Sequence, residues 1–201
     1  MRLPEADKER LVSFYARDFY AHTENARRVH WSEEDGQLIR FGILELVGDL
    51  SGQTVLDVGC GLGDFYKYLT EQYPGLTYIG LDIVPEFIAY AREAYPETPF
   101  LWGDFMDLPE DIKFDYVLSS GALSFKVQNS WRFYTDFIRK MYRLARVGAG
   151  FNMLRGGRHP DDDIYATYDP ELIVRFGRTF APEVNLIADY LPDDFTVFLR
   201  K

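Results

Sequence analysis

The sequence predicts an α/β domain built on a mostly parallel sheet, and two patterns in its 201 residues support this interpretation. From residue 54 onward, short runs rich in β-branched residues alternate with segments of helical periodicity, which is the order of elements that builds a parallel sheet. Near the end of the chain, two strand-like runs are joined only by residues 191–194, which are too few for a parallel crossover. The last two strands are therefore predicted to form an antiparallel hairpin.

Two amphipathic helices are predicted before the sheet begins. The first covers residues 5–22, where apolar and aromatic residues recur at steps of three and four. The second begins at Ser32, which opens a capping box, and ends at Gly48. This part of the chain packs either against outer helices or over the strand ends, where it would cover a ligand. We therefore predict a single domain over residues 1–201, with residues 1–50 as a helical lid and residues 51–201 as the core.

The elements of the predicted core follow in order. The strands are predicted at residues 54–58, 77–82, 100–103, 114–119, 150–154, 184–190 and 195–200. The helices between them are predicted at residues 65–73, 85–95 and 130–146. A further helix opens at Asp169, where an aspartate cap is followed by a proline at the first helical position.

The composition excludes several classes of function. The chain has 22 Lys plus Arg against 32 Asp plus Glu, a net charge of −10, which repels nucleic-acid phosphates and anionic membrane surfaces, so neither is expected as a partner. Cys60 is the only cysteine and the three histidines are widely spaced, so no disulfide and no metal site are predicted. No signal segment or long apolar span is present, and a cytoplasmic location is expected.

The most informative stretch is residues 54–64, a strand that runs directly into a glycine-rich turn and then a helix. Glycines let the backbone turn sharply and approach a ligand, and ligands of open parallel sheets bind at the carboxyl ends of the strands. A dinucleotide fingerprint needs G-x-G-x-x-G, but Gly59, Gly61 and Gly63 are two residues apart and Asp64 stands where a pyrophosphate would bind. The turn therefore indicates a nucleotide-like ligand other than a dinucleotide.

Three acidic residues at the ends of consecutive strands favour a cationic or zwitterionic ligand. Asp57 lies at the end of the first strand, Asp82 ends the second, and Asp104 follows the third. A carboxylate at Asp82 can accept both hydroxyls of a ribose, and we expect it to be exposed to water until a ligand arrives. Asp104 is placed to accept a hydrogen bond from an adenine amino group. Asp57 is a second candidate for the ligand, or an acceptor for the backbone amides of its own loop.

These motifs together resemble those of the class I S-adenosylmethionine-dependent methyltransferases. The resemblance lies in residues 55–63, Asp82, residues 103–104, residues 114–121 and the C-terminal strand pair. It implies a Rossmann-like seven-stranded sheet in the order 3-2-1-4-5-7-6, with the last strand antiparallel and helices on both faces. It also implies S-adenosylmethionine as the cofactor. More narrowly, the whole chain resembles a group of small bacterial methyltransferases of unassigned substrate.

The resemblance also implies which residues bind the cofactor. The expected cofactor-binding residues are Arg40, Asp57, Gly59, Cys60, Gly61, Gly63, Asp82, Ile83, Asp104, Phe105 and Ser120. The glycine loop would lie under the methionine moiety, Asp82 on the ribose, Ile83 against the adenine and Asp104 at the adenine edge. Ser120 would face the sulfonium, and Arg40 is a candidate for the methionine carboxylate. Cys60 is interpreted as a small packing residue rather than a nucleophile.

A small molecule is the expected methyl acceptor. Residues 119–123 read Ser-Ser-Gly-Ala-Leu and lack the Asn/Asp-Pro-Pro-Tyr/Phe motif of enzymes that methylate base amino groups. The candidate acceptor-binding residues are Tyr15, Tyr20, His30 and Trp31, whose alternative role is helix packing. No catalytic residue is predicted, because alignment and exclusion of water supply most of the acceleration in this reaction. For a hydroxyl acceptor, the candidate bases are His30, His159, Tyr15, Tyr20 and Tyr165.

Two other functions remain open at this point. A non-catalytic binding module would share the fold, but such modules usually lose the glycine loop or the acids, and both are kept here. A nicotinamide-dependent oxidoreductase would share the strand, the loop and Asp82, but the glycine spacing argues against it.

Overall fold

One seven-stranded sheet forms the centre of the molecule, for which the computed structural model describes residues 1–29, 34–156 and 163–201. Its strands are β1 (Thr54–Val58), β2 (Thr77–Asp82), β3 (Phe100–Trp102), β4 (Phe114–Ser119), β5 (Ala145–Leu154), β6 (Glu183–Ala188) and β7 (Asp194–Arg200). The order across the sheet is β3-β2-β1-β4-β5-β7-β6. β1 to β5 are parallel, and β7 runs antiparallel to both β5 and β6. The predicted strand order and the terminal hairpin are confirmed.

The α-helices of the described residues are α1 (Glu5–Ala21), α2 (Asn25–Arg28), α3 (Glu34–Leu44), α4 (Asp64–Thr70), α5 (Pro85–Ala94), α6 (Ser130–Leu144) and α7 (Pro170–Gly177). Short 3-10 turns follow at Glu45–Val47 and Phe105–Asp107. Asp169 caps α7 as predicted, since its carboxylate accepts from the Glu171 amide at 2.9 Å. Ser32, the predicted start of the second helix, lies outside the described residues. Among the described helices, none combines the length and the hydropathy that a membrane crossing needs.

Besides small shifts at the ends of several elements, two differences from the sequence prediction have a clear physical reason. β5 begins at Ala145 rather than at residue 150, because the chain passes from the end of α6 into the strand without a loop. The charged and glycine-containing start of this strand carries little strand signal. α2 was not predicted, because four residues are too few to show helical periodicity.

The sheet separates two apolar cores, as an open α/β sheet requires. On one face, Leu56 and Val58 of β1 pack with α6 and α7. On the other face, Val55 of the same strand packs with α3, α4 and α5. Alternate residues of a strand point to opposite faces, so β1 contributes to both cores.

A third apolar cluster places the N-terminal helix over the carboxyl ends of the strands. Here Leu11 and Tyr15 of α1 pack against Leu62, Val84 and Phe87 of the core. The first helix therefore lies above the edge of the sheet at which a ligand is expected, and it also packs against α5 through Phe87.

Candidate functional site

The described structure contains a cavity at the carboxyl ends of β1, β2 and β4, beneath α1. The predicted site residues that line it are Tyr15, Asp57, Gly59, Cys60, Gly61, Asp82, Ile83, Asp104, Phe105 and Ser120. His30 and Trp31 lie outside the described residues, as does His159. The edge of the sheet thus brings together most of the residues that the sequence motifs indicated.

Glycine is required at the first position of the loop after β1. Gly59 has φ +78°, and a Cβ at this position would lie 2.5 Å from the Cβ of Ala122 in the loop after β4. The amides of Gly59 and Cys60 donate to the carbonyl of Leu81 at 2.8 and 3.2 Å, which fixes the turn against β2. The loop therefore presents backbone rather than side chains to the cavity at this position.

Gly63, which the resemblance implies as a cofactor-binding residue, has a packing role at the start of α4. It stands at the start of α4 with φ +88°, and a Cβ there would lie 2.9 Å from the rings of Phe100 and Tyr95. It is not among the described residues that line the cavity. Gly63 lets α4 begin in close contact with the core, which explains the glycine without a ligand contact.

Cys60 of the same loop is a packing residue rather than a nucleophile. Burial raises the pKa of its thiol, which keeps the thiol protonated.

Asp82 already has a structural role before any ligand binds. One carboxylate oxygen accepts from the amide of Gly61 at 2.9 Å, and the other accepts from the amide of Val84 at 2.9 Å. Its side chain is buried, so the expectation that it is exposed to water in the free protein is wrong. Burial raises its pKa to about 6, although both hydrogen bonds lower it. Asp82 therefore holds the glycine loop against the start of the next helix.

Asp57 is a buried acid, and one of its two carboxylate oxygens has no hydrogen-bond partner among the described residues. Its Oδ2 accepts from the Tyr78 hydroxyl at 2.5 Å, while Oδ1 has no hydrogen-bond partner among the described residues. Burial raises its pKa to about 7, with a smaller contribution from the charge of Asp82. Its bond goes to Tyr78 rather than to its own loop, so the unmet oxygen is an acceptor in the wall of the cavity.

The loops after β3 and β4 complete the rim. Asp104 accepts from the amide of Met106 at 2.8 Å and so caps the turn at Phe105. In the loop after β4, the amide of Gly121 donates to the Oδ1 atom of Asn152 at 2.7 Å. The hydroxyl of the adjacent Ser120 is buried without a partner among the described residues, and Ser120 lines the cavity. The loop after β4 is thus anchored to β5 through Asn152, and both loops place polar groups at the cavity.

Comparison with known proteins shows similarity to methyltransferases. Residues 55–148 match a family described as a methyltransferase domain. The chain has the class I S-adenosylmethionine-dependent methyltransferase fold. The structure is similar to that of the 1,6-didemethyltoxoflavin-N1-methyltransferase of Burkholderia thailandensis, solved with 1,6-didemethyltoxoflavin and S-adenosylhomocysteine. The TM-score is 0.73 at 17% identity, and the match covers 100% of this chain and 91% of that one.

Two curated methyltransferases match about half of the chain. A probable phthiotriol/phenolphthiotriol dimycocerosates methyltransferase of Mycobacterium ulcerans is 35% identical over 106 residues, which are 51% of this chain and 39% of that protein. A fatty-acid O-methyltransferase of Mycolicibacterium smegmatis is 33% identical over 108 residues, which are 51% of this chain and 37% of that protein. The chain therefore matches less than two fifths of the length of these relatives.

The charge of the cavity suits S-adenosylmethionine, the cofactor of this methyltransferase fold. The described residues that line it include four carboxylates, Asp57, Asp64, Asp82 and Asp104, and no Lys, Arg or His. Such a wall stabilises a sulfonium and an ammonium and repels a pyrophosphate. Across the described part of the chain, no cluster of His, Cys, Asp and Glu is arranged to hold a metal ion.

Arg40 is not where the methyltransferase resemblance placed it. Its guanidinium forms a buried ion pair with Asp194 of β7, and Arg40 is not among the described residues that line the cavity. A buried carboxylate needs a cationic partner, and Arg40 is the partner of Asp194. The sequence could not show this, because the partners are 154 residues apart. On the same helix, Gln37 and Phe41 line the cavity, and the sequence reasoning missed both.

Helix α1 and the residues just before it contribute the roof of the cavity. Leu3, Leu11 and Tyr15 line it from above, together with Val29, which follows α2. Tyr20 is 75% exposed and does not line the cavity, so the structure does not support it as an acceptor-binding residue. Five positions after Tyr15, it lies on the opposite side of a helix with about 3.6 residues per turn.

The tyrosine in the roof is a hydrogen-bond donor at neutral pH rather than a base. Burial raises the pKa of Tyr15 above its usual value, and the charge of Asp82 acts in the same direction. A hydroxyl that keeps its proton cannot accept one from a substrate. The raised pKa argues against Tyr15 as a general base, whereas its position on the cavity agrees with the predicted acceptor site.

Proposed function

We propose that this protein transfers the methyl group of S-adenosylmethionine to a small-molecule acceptor. The main support for this proposal is the acid-lined cavity at the carboxyl ends of β1, β2 and β4, which an aromatic helix covers. The names of similar proteins support the acceptor class, since one is a fatty-acid O-methyltransferase and another was solved with 1,6-didemethyltoxoflavin.

The proposed cofactor contacts follow the order of the strands. Asp82 accepts hydrogen bonds from the ribose hydroxyls. Each of its oxygens already accepts one backbone amide and has a second lone pair for a hydroxyl. Ile83 packs against the adenine, and Asp104 with the backbone of Phe105 binds the adenine edge. The unmet Oδ1 of Asp57 is an acceptor for the ammonium group.

S-adenosylmethionine supplies a methyl group on a sulfonium, with a neutral thioether as the leaving group. The chain therefore needs to align the acceptor and exclude water, and it needs no strong base for an acceptor that arrives deprotonated. The partly buried aromatic roof around Tyr15 limits the access of water. The hydroxyl of Tyr15 donates a hydrogen bond that orients the acceptor.

In this proposal the lid consists of α1 and α2. Helix α3 also falls within the predicted lid of residues 1–50, but it packs in the core beside Val55. The ring of Tyr15 lies 6.1 Å from that of Phe87 and 6.2 Å from that of Phe125, between the two sides of the cavity. Asp7 accepts from the amide of Gln128 at 2.6 Å, which ties the helix to the segment before α6. A ligand enters when the contacts of α1 open, while α3 and residues 51–201 keep the sheet intact.

Calorimetry with S-adenosylmethionine, S-adenosylhomocysteine and NAD in parallel tests the cofactor. Micromolar binding of the first two without NAD binding is expected, and tight NAD binding would overturn the proposal. Transfer of a labelled methyl group from S-adenosylmethionine to a panel of small hydroxyl, amine and thiol compounds tests the activity. Cofactor binding without transfer to any acceptor class would instead favour a binding module.

A further inference from the structure

The cavity has an aromatic part beside its acidic part. The acids belong to β1, to β2, to the loop after β3 and to the start of α4, where the cofactor is proposed to bind. The aromatic part is formed by α1, the loop after β4 and the first half of α6. Its lining residues are Leu11, Tyr15, Phe125, Phe133, Tyr134 and Phe137. We call these residues the aromatic pocket.

Contacts among these side chains join the three elements of the aromatic pocket. The ring centroids of Tyr15 and Phe125 lie 6.2 Å apart, and those of Phe133 and Phe137 lie 6.1 Å apart. The hydroxyl of Tyr134 donates to the carbonyl of Phe125 at 2.6 Å, so this tyrosine offers its ring rather than its hydroxyl to a ligand. Walls of this kind favour a flat aromatic ligand, which makes offset and edge-to-face contacts with the rings.

The charge of the cavity disfavours an anionic acceptor. The described residues that line it carry four carboxylates and no cationic side chain. Arg10 of α1 lies 5.1 Å from the ring centroid of Phe125, but it does not line the cavity and it pairs with Asp7 at 3.2 Å. A carboxylate, a phosphate or a phenolate would therefore enter a field of its own sign.

Methyl transfer to a neutral nitrogen preserves the positive charge that this wall stabilises. The nitrogen lone pair forms the N–CH3 bond while the S–CH3 bond breaks, and the electron pair of that bond stays on sulfur as a neutral thioether. The positive charge passes from sulfur to nitrogen, and a proton then leaves the nitrogen to water. Attack by an anion would instead neutralise the charge beside the carboxylates. A neutral hydroxyl needs a base as it attacks, and the raised pKa of Tyr15 argues against this residue as the base.

Ser120 stands where the acidic and the aromatic parts meet along the chain. It follows β4, which lies beside β1 in the sheet, and it precedes the loop that leads to Phe125. Its hydroxyl is buried without a partner among the described residues, and Ser120 lines the cavity. A hydroxyl oxygen accepts a hydrogen bond from an amine N–H, which leaves the nitrogen lone pair for the methyl group.

We propose that the methyl acceptor is an uncharged aromatic amine, held by its ring in the aromatic pocket and methylated on its nitrogen. This inference rests on the proposed function, because it names the acceptor class of the same site. It assigns Ser120 as the residue that orients the amine.

Three probes with one ring system test the acceptor class. At neutral pH, 2-naphthylamine is a neutral amine, 2-naphthol is a neutral hydroxyl compound and 2-naphthoate is an anion. With labelled S-adenosylmethionine, kcat/KM for 2-naphthylamine should exceed that for each of the others by about tenfold or more. Comparable or faster transfer to 2-naphthol or 2-naphthoate would overturn the inference, and so would the absence of transfer to all three.

Leu11→Lys tests where the acceptor binds, because it places a cation in the wall of the aromatic pocket. Calorimetry on the complex with S-adenosylhomocysteine should show 2-naphthoate bound about tenfold more tightly than by the parent, and 2-naphthylamine bound no more tightly. Leu3→Lys makes the same test before the start of α1, at a second residue that lines the cavity. Thermal unfolding shows which of the two variants keeps the parent fold.

Ser13→Lys is the matched control, because it adds the same charge at an exposed position of α1 that does not line the cavity. It should change neither affinity. Equal responses of Ser13→Lys and the cavity variants would overturn the placement of the acceptor beneath α1.

Binding of S-adenosylhomocysteine by the parent separates this inference from the proposed function. A parent that binds S-adenosylhomocysteine but does not favour 2-naphthylamine loses this inference and keeps the proposed function. A parent that does not bind S-adenosylhomocysteine loses both.

Discussion

Arg40 of α3 and Asp194 of β7 form a two-point ion pair across 154 residues of sequence. Nε of the arginine lies 2.8 Å from Oδ1 of the aspartate, and Nη2 lies 2.5 Å from Oδ2. Both side chains are buried, with exposed fractions of 11% and 5%. The pair joins a helix that lines the cavity to a strand that lies between β5 and β6.

Breaking this pair should destabilise the fold strongly. Asp194→Ala leaves the guanidinium of Arg40 buried without its carboxylate, which is expected to lower the free energy of unfolding by about 3–5 kcal/mol. Urea denaturation measures the change. The double variant Arg40→Met/Asp194→Leu should recover most of the loss, because no buried charge remains. A loss below about 1 kcal/mol in Asp194→Ala would show that water reaches the arginine.

Asp82→Ala should impair both stability and cofactor binding. Its carboxylate holds the amides of Gly61 and Val84, so the variant is expected to lose about 1–3 kcal/mol of stability. Affinity for S-adenosylhomocysteine should fall by about tenfold or more, since the ribose hydroxyls lose their acceptor. Asp82→Asn should lose less of both, because one oxygen remains. Thermal unfolding and calorimetry on the same samples separate the effects, and unchanged affinity in Asp82→Ala would contradict the ribose role.

Asp57 should make the stability of the free protein depend on pH. Its folded pKa is about 7, whereas an unfolded aspartate titrates near about 4. The folded state therefore holds more protons between these values, so the contribution of Asp57 to stability is full below about pH 4 and is lost as the pH rises through 7.

Asp57→Asn stays neutral at every pH, so it should exceed the parent in stability at pH 8 by about 1–3 kcal/mol and match it near pH 4. Melting temperatures at pH 4, 6 and 8 provide the measurement. Asp49→Asn is a control, because Asp49 is exposed and its pKa is lowered by the Ser51 amide rather than raised. A parallel pH dependence of Asp57→Asn and the parent would show that Asp57 does not carry the effect.

Tyr15 should contribute to catalysis through position and packing rather than as a base. Its raised pKa keeps the hydroxyl protonated, so Tyr15→Phe should keep the shape of the pH profile of kcat between about pH 6 and 9. Tyr15→Ala removes the ring between Phe87 and Phe125 and should lower kcat/KM much more than Tyr15→Phe. Loss of an ascending limb of the pH profile in Tyr15→Phe would restore the base role.

Local patterns in the sequence were sufficient to predict the strands and the glycine loop, whereas the order of the strands was implied by the methyltransferase resemblance. The alternation of apolar runs and helical segments depends only on neighbours in the chain, and it predicted β1, β2 and β4 with their observed bounds. The acids Asp57, Asp82 and Asp104 were found because the carboxyl ends of parallel strands share one edge. These features need no knowledge of distant contacts.

Only the tertiary structure decided which way the side chains of the site point. Arg40 and Gln37 lie on one amphipathic helix, and the partner that draws Arg40 away from the cavity is a buried carboxylate far along the chain. The sequence likewise led to the prediction that Asp82 is exposed to water. Its hydrogen-bond donors are backbone amides, which nearly all residues have, so no residue pattern reveals them. Burial and long-range pairing set the charges and partners of these groups, and both exist only once the chain has folded.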